Sequence, residues 1–439
     1  MTREKHLKQR VRARMGKTGE SYTAARRKVV AAAPQPAPVP SRQAPISGVH
    51  PETTALRILL AQAGGGLAGA AGPPSEAMVF GIAGGIGAGV FAFHYPKEDF
   101  QNFYLAGRHL WQDNLAYLKA ACGRLGVEPE IREAGGAKAA EKHLRDALAT
   151  GGPVAAWVDM APLQYRGAPA TMAGMGYHLV IVDAIDEQAG TARVRDLAPE
   201  PVAVPLADLA AARARIKKQK NRLLSLKNTA APVDPAVAIR NGLRACHAAA
   251  RGGRMKNFTL DAFAEWAARI HGSQGKQSWA TIFPPGRALW RGLSCAYLYI
   301  SWYGSGGGLM RPLFAQFLVE AGDLLGESWM RELSRHYAAL GSDWQALAEA
   351  ALPDGVPILR ETKTLIAARE SALRRGGTAA PPKIRAAWSR LDEIAEQMRT
   401  DFPLAPGDAD HLLADLQGRI AAIHEQEIAG WEALGAGLG

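Results

Sequence analysis

Apolar and polar positions alternate between residues 177 and 197 in a pattern that predicts a β-hairpin. An apolar, β-branched strand over 177–185 is followed by a polar turn at 186–190 and a second short strand over 191–197. With the turn centred near residue 188, Asp196 lies opposite residue 180, so His178 and Asp196 are diagonal neighbours on one face. A slip of one residue would place them on opposite faces. A carboxylate beside an imidazole fixes the tautomer that a general base needs, although such residues near strand ends can also be capping or solvated groups.

Helical and strand patterns alternate around this hairpin. The predicted helices begin at 51 and 76 and cover 111–125, 137–149 and 206–220, and the predicted strands cover 90–95, 128–133 and 154–158. The poorly periodic stretch 161–175 is expected to form a flap that leads to His178. Helices followed by an antiparallel sheet are typical of an α+β domain.

From residue 233 the pattern becomes almost wholly helical. Apolar positions with a period of 3.6 predict helices at 261–270, 289–301, 309–326, 329–340, 343–351, 358–371, 383–398 and 408–434. We therefore expect three parts in the chain: a disordered basic arm with a proline- and alanine-rich linker at 1–45, an α+β domain at 46–230 and an all-helical domain at 231–439.

An aromatic and glycine-rich segment stands out in the helical half. Trp302 and Tyr303 precede five small residues at 304–308, and Arg311 follows them. Arg311 could hold a substrate carboxylate or phosphate, with the aromatic residues as ligand contacts and the glycines as a lid hinge. The alternative is an ordinary turn between helices, with Arg311 in a salt bridge to Glu320 or another neighbour.

The sequence predicts no cofactor and no metal site. Residues 87–92 formally match a dinucleotide-binding fingerprint, but they lead into a strand instead of a helix, so tight backbone packing is expected there. Cys122, Cys246 and Cys295 lie far apart and have neither CxxC nor His-rich spacing. This pattern argues against a disulfide framework or a structural zinc and suits a reducing cytoplasm.

Charge is concentrated at the amino terminus. Of the net charge of +11, residues 1–30 contribute +8, from ten Lys and Arg and two Glu. Such an arm is usually solvated, so nucleic acid is expected as a partner only through it, and a nucleic-acid function would be strongly salt-dependent. No run approaches eighteen apolar residues, so no membrane span is expected.

Five segments, taken in order, resemble the N-terminal domain of the butirosin-biosynthesis acyltransferase family (BtrH-like). They read GVHPETTALRILLAQAG, SEAMVFGIAGGIGAGVFAFHY, GGAKAAEKHLRDAL, PVAAWVDM, and YHLVIVDAID with RVRDL. The second half, with YGSGGGLMRPLFAQFLVEAGDLLG and SDWQALAEAAL, is similar to the helical domain of unknown function that usually follows. The resemblance implies a papain-like cysteine-peptidase fold over about 46–230. It also implies transfer of an acyl group from an acyl-carrier-protein thioester to an amine in natural-product biosynthesis.

The same resemblance places His178 on the family's histidine and Asp196 on its acid, but the nucleophile is missing. Where the family commonly has His-Cys at the head of the first helix, this chain has His50-Pro51. A helix start would lower the pKa of a thiol there, whereas proline has no lone pair for attack. The threonines that follow, the first of which is Thr53, are poor substitutes without activation.

Two functions of different classes remain. The first is an acyltransferase without a covalent intermediate: His178 takes the proton of a small-molecule amine, Asp196 holds the ring, and the donor is an acyl-carrier protein or another acyl thioester. The substrate and oxyanion region would be 50–53, with the backbone N–H groups of Glu52 and Thr53 facing the oxyanion. The alternative is a catalytically inactive relative, a pseudoenzyme, that binds a peptide, carrier protein or small metabolite. A cytoplasmic location is expected, and homo-oligomer formation is left open.

Overall fold

The structure, a computed structural model, describes residues 3–19, 21–22, 25, 46–64, 66–68, 72–174, 176–227, 232–252, 255–377 and 379–439. Arg3–Thr18 forms helix α1 within the arm that the sequence predicts to be disordered. Most residues of this segment are Lys, Arg, Gln or Glu, which are good helix formers. Val11 is buried with Ala25, and Met15 packs against them. The proline-rich part of the predicted linker lies outside the described residues.

The α+β part begins with helices and ends in an antiparallel sheet, as predicted. Its helices are α2 (Pro51–Ala63), α3 (Glu76–Ile82), α4 (Asn114–Arg124), α5 (Ala137–Ala149) and α6 (Leu206–Arg215). Its strands are β1 (Ile86–Tyr95), β2 (Phe100–Arg108), β3 (Pro129–Arg132), β4 (Val154–Asp159), β5 (Tyr177–Asp186), β6 (Thr191–Arg195), β7 (Val202–Pro205) and β8 (Leu223–Leu226). Helix α4 begins later than predicted because Asp113 caps it, accepting from the backbone N–H of Ala116 at 2.9 Å. Helix α6 ends early and gives way to a short 3-10 turn, Lys217–Gln219.

Six strands form one sheet in the order β3-β8-β4-β5-β6-β7, and all of the pairs are antiparallel. In the β5–β6 hairpin Ile181 pairs with Arg195, which is the predicted register. A bulge after Val182 shifts the pairing by one residue on the turn side. Because His178 lies on the other side of that bulge, the common face of His178 and Asp196 is retained.

Strands β1 and β2 form a separate two-stranded sheet, and residues 87–92, which formally match the dinucleotide-binding fingerprint, lie in β1. A Cβ on Gly87 would lie 2.6 Å from the carbonyl oxygen of Arg108, and one on Gly89 would lie 2.0 Å from the indole Nε1 of Trp111. The expected tight backbone packing is therefore confirmed. Strand β2 is absent from the sequence prediction, and its buried face includes the polar residue Gln101, which weakens the apolar alternation.

The second half is all-helical, as predicted. Its helices are α7 (Pro235–Arg251), α8 (Asp261–Ile270), α9 (Trp279–Ile282), α10 (Arg287–Ser301), α11 (Arg311–Leu325), α12 (Ser328–Ala351), α13 (Pro357–Arg375), α14 (Ala380–Gln397) and α15 (Pro406–Leu438). The segments predicted as separate helices at 329–340 and 343–351 form the single helix α12. Gly341 lies inside it because a neighbouring ring packs there: a Cβ on Gly341 would lie 2.8 Å from the ring of Pro312.

One hydrophobic core extends through both halves. Leu56 and Phe80 belong to the same buried cluster as Phe314 and Trp344. The domain boundary predicted at 230 therefore does not coincide with a gap between two cores, and it stays a prediction. Within the described ranges, no helix combines the length and the apolar character that crossing a bilayer requires.

Candidate functional site

A cavity of about 410 Å³ lies between the two halves. Residues from the start of α2, from β2, from the flap between β4 and β5 and from the end of α10 line it. The predicted site residues among them are His50, Pro51, Glu52, His178 and Tyr303. Asp196 and Trp302 line a smaller cavity that shares Pro51 and His178 with the main one. The structure therefore gathers most of the predicted residues around these two cavities.

His178 and Asp196 meet as the hairpin register predicts. His178 Nε2 lies 2.7 Å from Asp196 Oδ1. In the tautomer that donates from Nε2 to this carboxylate, Nδ1 keeps its lone pair. Nδ1 is buried and has no hydrogen-bond partner among the described residues, and the residue lines the cavity. In that tautomer Nδ1 is an acceptor that no described residue uses.

Two residues of the flap complete this cluster, and neither was predicted. Arg166 Nη1 forms a salt bridge with Asp196 and lies 2.9 Å from His178 Nε2. The hydroxyl of Tyr165 donates to Asp196 Oδ2 at 2.8 Å. Both residues belong to a short 3-10 turn, Gln164–Arg166, in a stretch without periodicity, so no sequence pattern pointed to them.

The environment of Asp196 keeps its carboxylate ionised. Burial raises the pKa of Asp196, but the charges of His178 and Arg166 and the hydrogen bonds from His178 and Tyr165 outweigh it and hold the pKa well below its usual value. Asp196 therefore contributes a fixed negative charge against the imidazole.

We expect acid to destabilise the fold through Asp196. The folded state keeps this carboxylate deprotonated below the pKa of the unfolded chain, so the stability that it contributes is present above about pH 4 and is lost as the pH falls further. Below about pH 4, the free energy of unfolding of the wild type should fall by about 1.4 kcal/mol per pH unit more steeply than that of Asp196→Asn. Urea unfolding between pH 3 and pH 7 measures this, with the exposed Asp323→Asn as the control. Parallel pH slopes for wild type and Asp196→Asn would contradict the expectation.

The start of α2 is fixed by hydrogen bonds. His50 caps the helix, with its Nδ1 accepting from the backbone N–H of Thr53 at 3.4 Å, and Pro51 occupies the first turn, where a missing N–H costs nothing. The carboxylate of Glu76 accepts from the backbone N–H of His50 at 2.9 Å and from the hydroxyls of Thr53 and Thr54 at 2.9 and 3.0 Å. Both threonines are buried and neither lines either cavity, so neither is placed to act as a nucleophile.

Glu52 lies beside Pro51 in the cavity wall and forms a buried ionic cluster. Its Oε2 is 3.0 Å from His50 Nε2, and its Oε1 is 3.5 Å from Arg108 Nη2. Burial raises the pKa of Glu52, but the charges of Arg108 and His50 lower it by more, so the carboxyl group stays ionised. The backbone N–H of Thr53 donates to His50 Nδ1. The expected role of the Glu52 and Thr53 N–H groups toward an oxyanion stays a prediction.

The glycine-rich turn packs against this helix start. Gly306 has a φ of 69°, and a Cβ added to it would lie 2.8 Å from Val49 Cγ2. The hydroxyl of Tyr303 donates to the backbone oxygen of Tyr177 at 3.0 Å, which ties the turn to strand β5. The close approach and the positive φ account for glycine at this turn, and the proposed lid hinge stays a prediction.

Arg311 does not line the cavity, although it was considered as a ligand contact. It is fully buried, and its Nε lies 2.7 Å from Glu427 Oε1. Its terminal nitrogens donate to the carbonyl oxygens of Gly87, Gly107 and Leu309. Arg311 therefore forms a salt bridge, as the alternative interpretation expected, but its partner is Glu427 on α15 and not Glu320.

The cysteines are not placed for covalent catalysis. Cys122 and Cys246 are buried and Cys295 is half-buried, and none of them lines the cavity. Burial raises the pKa of Cys122 and Cys246 to about 12 and that of Cys295 to about 11, so their thiols stay protonated. The described part of the chain holds no group of three or more His, Cys, Asp and Glu that could bind a metal ion.

Two family models match the chain. Residues 50–197 match the family described as butirosin biosynthesis protein H, N-terminal, and residues 207–370 match a domain of unknown function, DUF4872. The family resemblance and the order of the two domains are thereby confirmed. No curated protein matches the chain.

Proposed function

Because residues 50–197 belong to the butirosin biosynthesis protein H N-terminal family, we propose that the protein is a biosynthetic acyltransferase that acts without a cysteine nucleophile. It would transfer an acyl group from a carrier-protein or coenzyme A thioester to the amine of a small molecule. The proposal includes a papain-like arrangement, in which a helix start faces a His/Asp pair. The observation that carries it is the unpartnered Nδ1 of His178 beside the cavity, with Nε2 held by Asp196.

A direct transfer needs no covalent intermediate because a thioester is already activated. The amine nitrogen attacks the thioester carbonyl, and His178 Nδ1 takes the proton that the nitrogen loses. The tetrahedral intermediate then expels the thiolate, which takes up that proton, so a C–N bond replaces the C–S bond. The orienting effect of the cavity would supply much of the acceleration.

A hydroxyl of the cavity is suited to the developing oxyanion. The pKa of Tyr104 is raised to about 12, chiefly by burial, so its hydroxyl stays protonated at neutral pH. Tyr104 lines the cavity. Its O–H group can therefore donate a hydrogen bond to the oxyanion.

We expect His178→Ala to lower the rate of thioester aminolysis by about 10²–10⁴-fold, the usual contribution of a general base. The measurement is amide formation from carrier-bound and coenzyme A thioesters with a panel of small amines. His411→Ala, which changes an exposed histidine on α15, is the matched control and should keep the wild-type rate. A wild-type rate equal to the uncatalysed rate with every donor and amine would reject the proposal.

A second candidate is a catalytically inactive binding protein in the same fold. Pro51 in place of the family's cysteine and the engagement of the Thr53 N–H by His50 favour it. This candidate predicts that calorimetry detects binding of a carrier protein or small molecule while no amide forms. Mass spectrometry of molecules that copurify with the protein would name the ligand.

A further inference from the structure

An aromatic track connects the exposed end of the β1–β2 sheet with the cavity. We define it as Phe93, Phe91, Trp111, Tyr104, Tyr299 and Tyr303, in spatial order. The ring centroids of successive members lie 5.9, 5.3, 5.0, 4.6 and 5.6 Å apart. All six side chains are half-buried or exposed, so each leaves part of its surface uncovered.

The outer end of the track is exposed apolar surface. Phe93 is 39% exposed, and Tyr95, which stacks on it at 6.3 Å from the same face of β1, is 49% exposed. Phe258 borders the track, with its ring 5.2 Å from Phe91 and 5.5 Å from Trp111. Contiguous exposed aromatic surface of this kind marks an interaction site more often than chance exposure.

The inner end of the track belongs to the candidate site. Trp111, Tyr104, Tyr299 and Tyr303 all line the main cavity. Tyr303 also lines the smaller cavity together with His178. The four inner members of the track therefore share the cavity with His178, and Phe91 and Phe93 continue the row of ring contacts outside it.

The charges of the cavity point to an apolar occupant. Glu52 is paired with Arg108, and Arg369 lies 2.8 Å from Glu370. Arg166, as described above, is paired with Asp196. An occupant of the track therefore meets no unpaired ionic partner among these residues, and a charged group on it would lose hydration without one.

We propose that the aromatic track binds the acyl chain of the thioester donor, and that this chain is an extended alkyl or aryl-alkyl group. The inference rests on the proposed function, because it places the reacting carbonyl next to His178 and the chain along Tyr303, Tyr299 and Tyr104 toward the hairpin. The substrate class is then a medium- or long-chain apolar acyl group.

The test uses S-alkyl thioethers of coenzyme A, from ethyl to dodecyl, which bind but cannot transfer an acyl group. Calorimetric titration of the full-length protein should show an affinity that rises about fourfold for each added methylene until the track is filled. Phe93→Ser should remove the gain for the longest chains and leave the affinity for the ethyl compound unchanged. Leu324→Ser, which changes another exposed apolar residue, on α11, should alter neither.

The outcomes separate this inference from the proposed function. An affinity that does not depend on chain length, or a Phe93→Ser variant with the full wild-type gain, overturns the track. A series of n-alkylamines is titrated in parallel. If the affinity depends on chain length only for these amines, the assignment of the track to the acyl donor is overturned. Because the thioethers are unreactive, the expected dependence together with absent aminolysis would support the track and reject only the acyltransferase.

Discussion

Replacing Arg311 by alanine should lower the free energy of unfolding by about 3–5 kcal/mol, the usual cost of removing one partner of a buried ion pair. Arg311 and Glu427 are both fully buried, and the indole N–H of Trp344 donates to the same carboxylate at 2.7 Å. Without the guanidinium, the Glu427 carboxylate would remain in the core with the Trp344 bond as its main compensation. Three carbonyl oxygens would also lose their donor, which adds to the cost.

Chemical denaturation of purified variants measures this effect. Arg331→Ala is the matched control because Arg331 and its partner Asp323 are more than half exposed, and such surface pairs contribute at most about 1 kcal/mol. The double variant Arg311→Met with Glu427→Leu should recover part of the loss, since it leaves no unpaired charge in the core. A single Arg311→Ala variant as stable as the wild type would contradict the structural role of this pair.

The contrast between Arg311 and His178 indicates what the sequence could and could not predict. The period of two along the hairpin fixes which residues share a face, so the meeting of His178 with Asp196 was predictable from local pattern. The partner of Arg311 lies 116 residues away on another helix, and no local pattern carries that information. Helix α12 was divided in the prediction for a similar reason, because Gly341 reflects contact with a distant proline and not the end of a helix.

The flap limits the prediction of the site in another way. Arg166 and Tyr165 hold Asp196 from a 3-10 turn, which has too few residues to show a periodic pattern. The sequence also did not indicate that the side chain of His50 takes up the backbone N–H of Thr53 at the start of α2. Side-chain competition of this kind depends on rotamers and is not encoded in spacing.

Installing a thiol by Pro51→Cys should create a reactive site that the wild type lacks. Residue 51 occupies the first turn of α2 and lines both cavities together with His178, so the new thiol would meet a helix start and the proposed base. Both lower the pKa of a thiol, while the nearby Glu52 carboxylate opposes them. We expect alkylation by iodoacetamide at pH 7 to be about tenfold faster than that of an ordinary exposed thiol.

Pro406→Cys is the matched control for this experiment. Pro406 is also the first residue of a helix, α15, but it is exposed and does not line the cavity. Intact-mass spectrometry after incubation with an acyl thioester should detect an acyl adduct on Pro51→Cys and not on Pro406→Cys. Adding His178→Ala to Pro51→Cys should slow adduct formation, because the imidazole would no longer take the thiol proton. A Pro51→Cys thiol that stays inert to both reagents would contradict the assignment of residue 51 to the position of the family's cysteine.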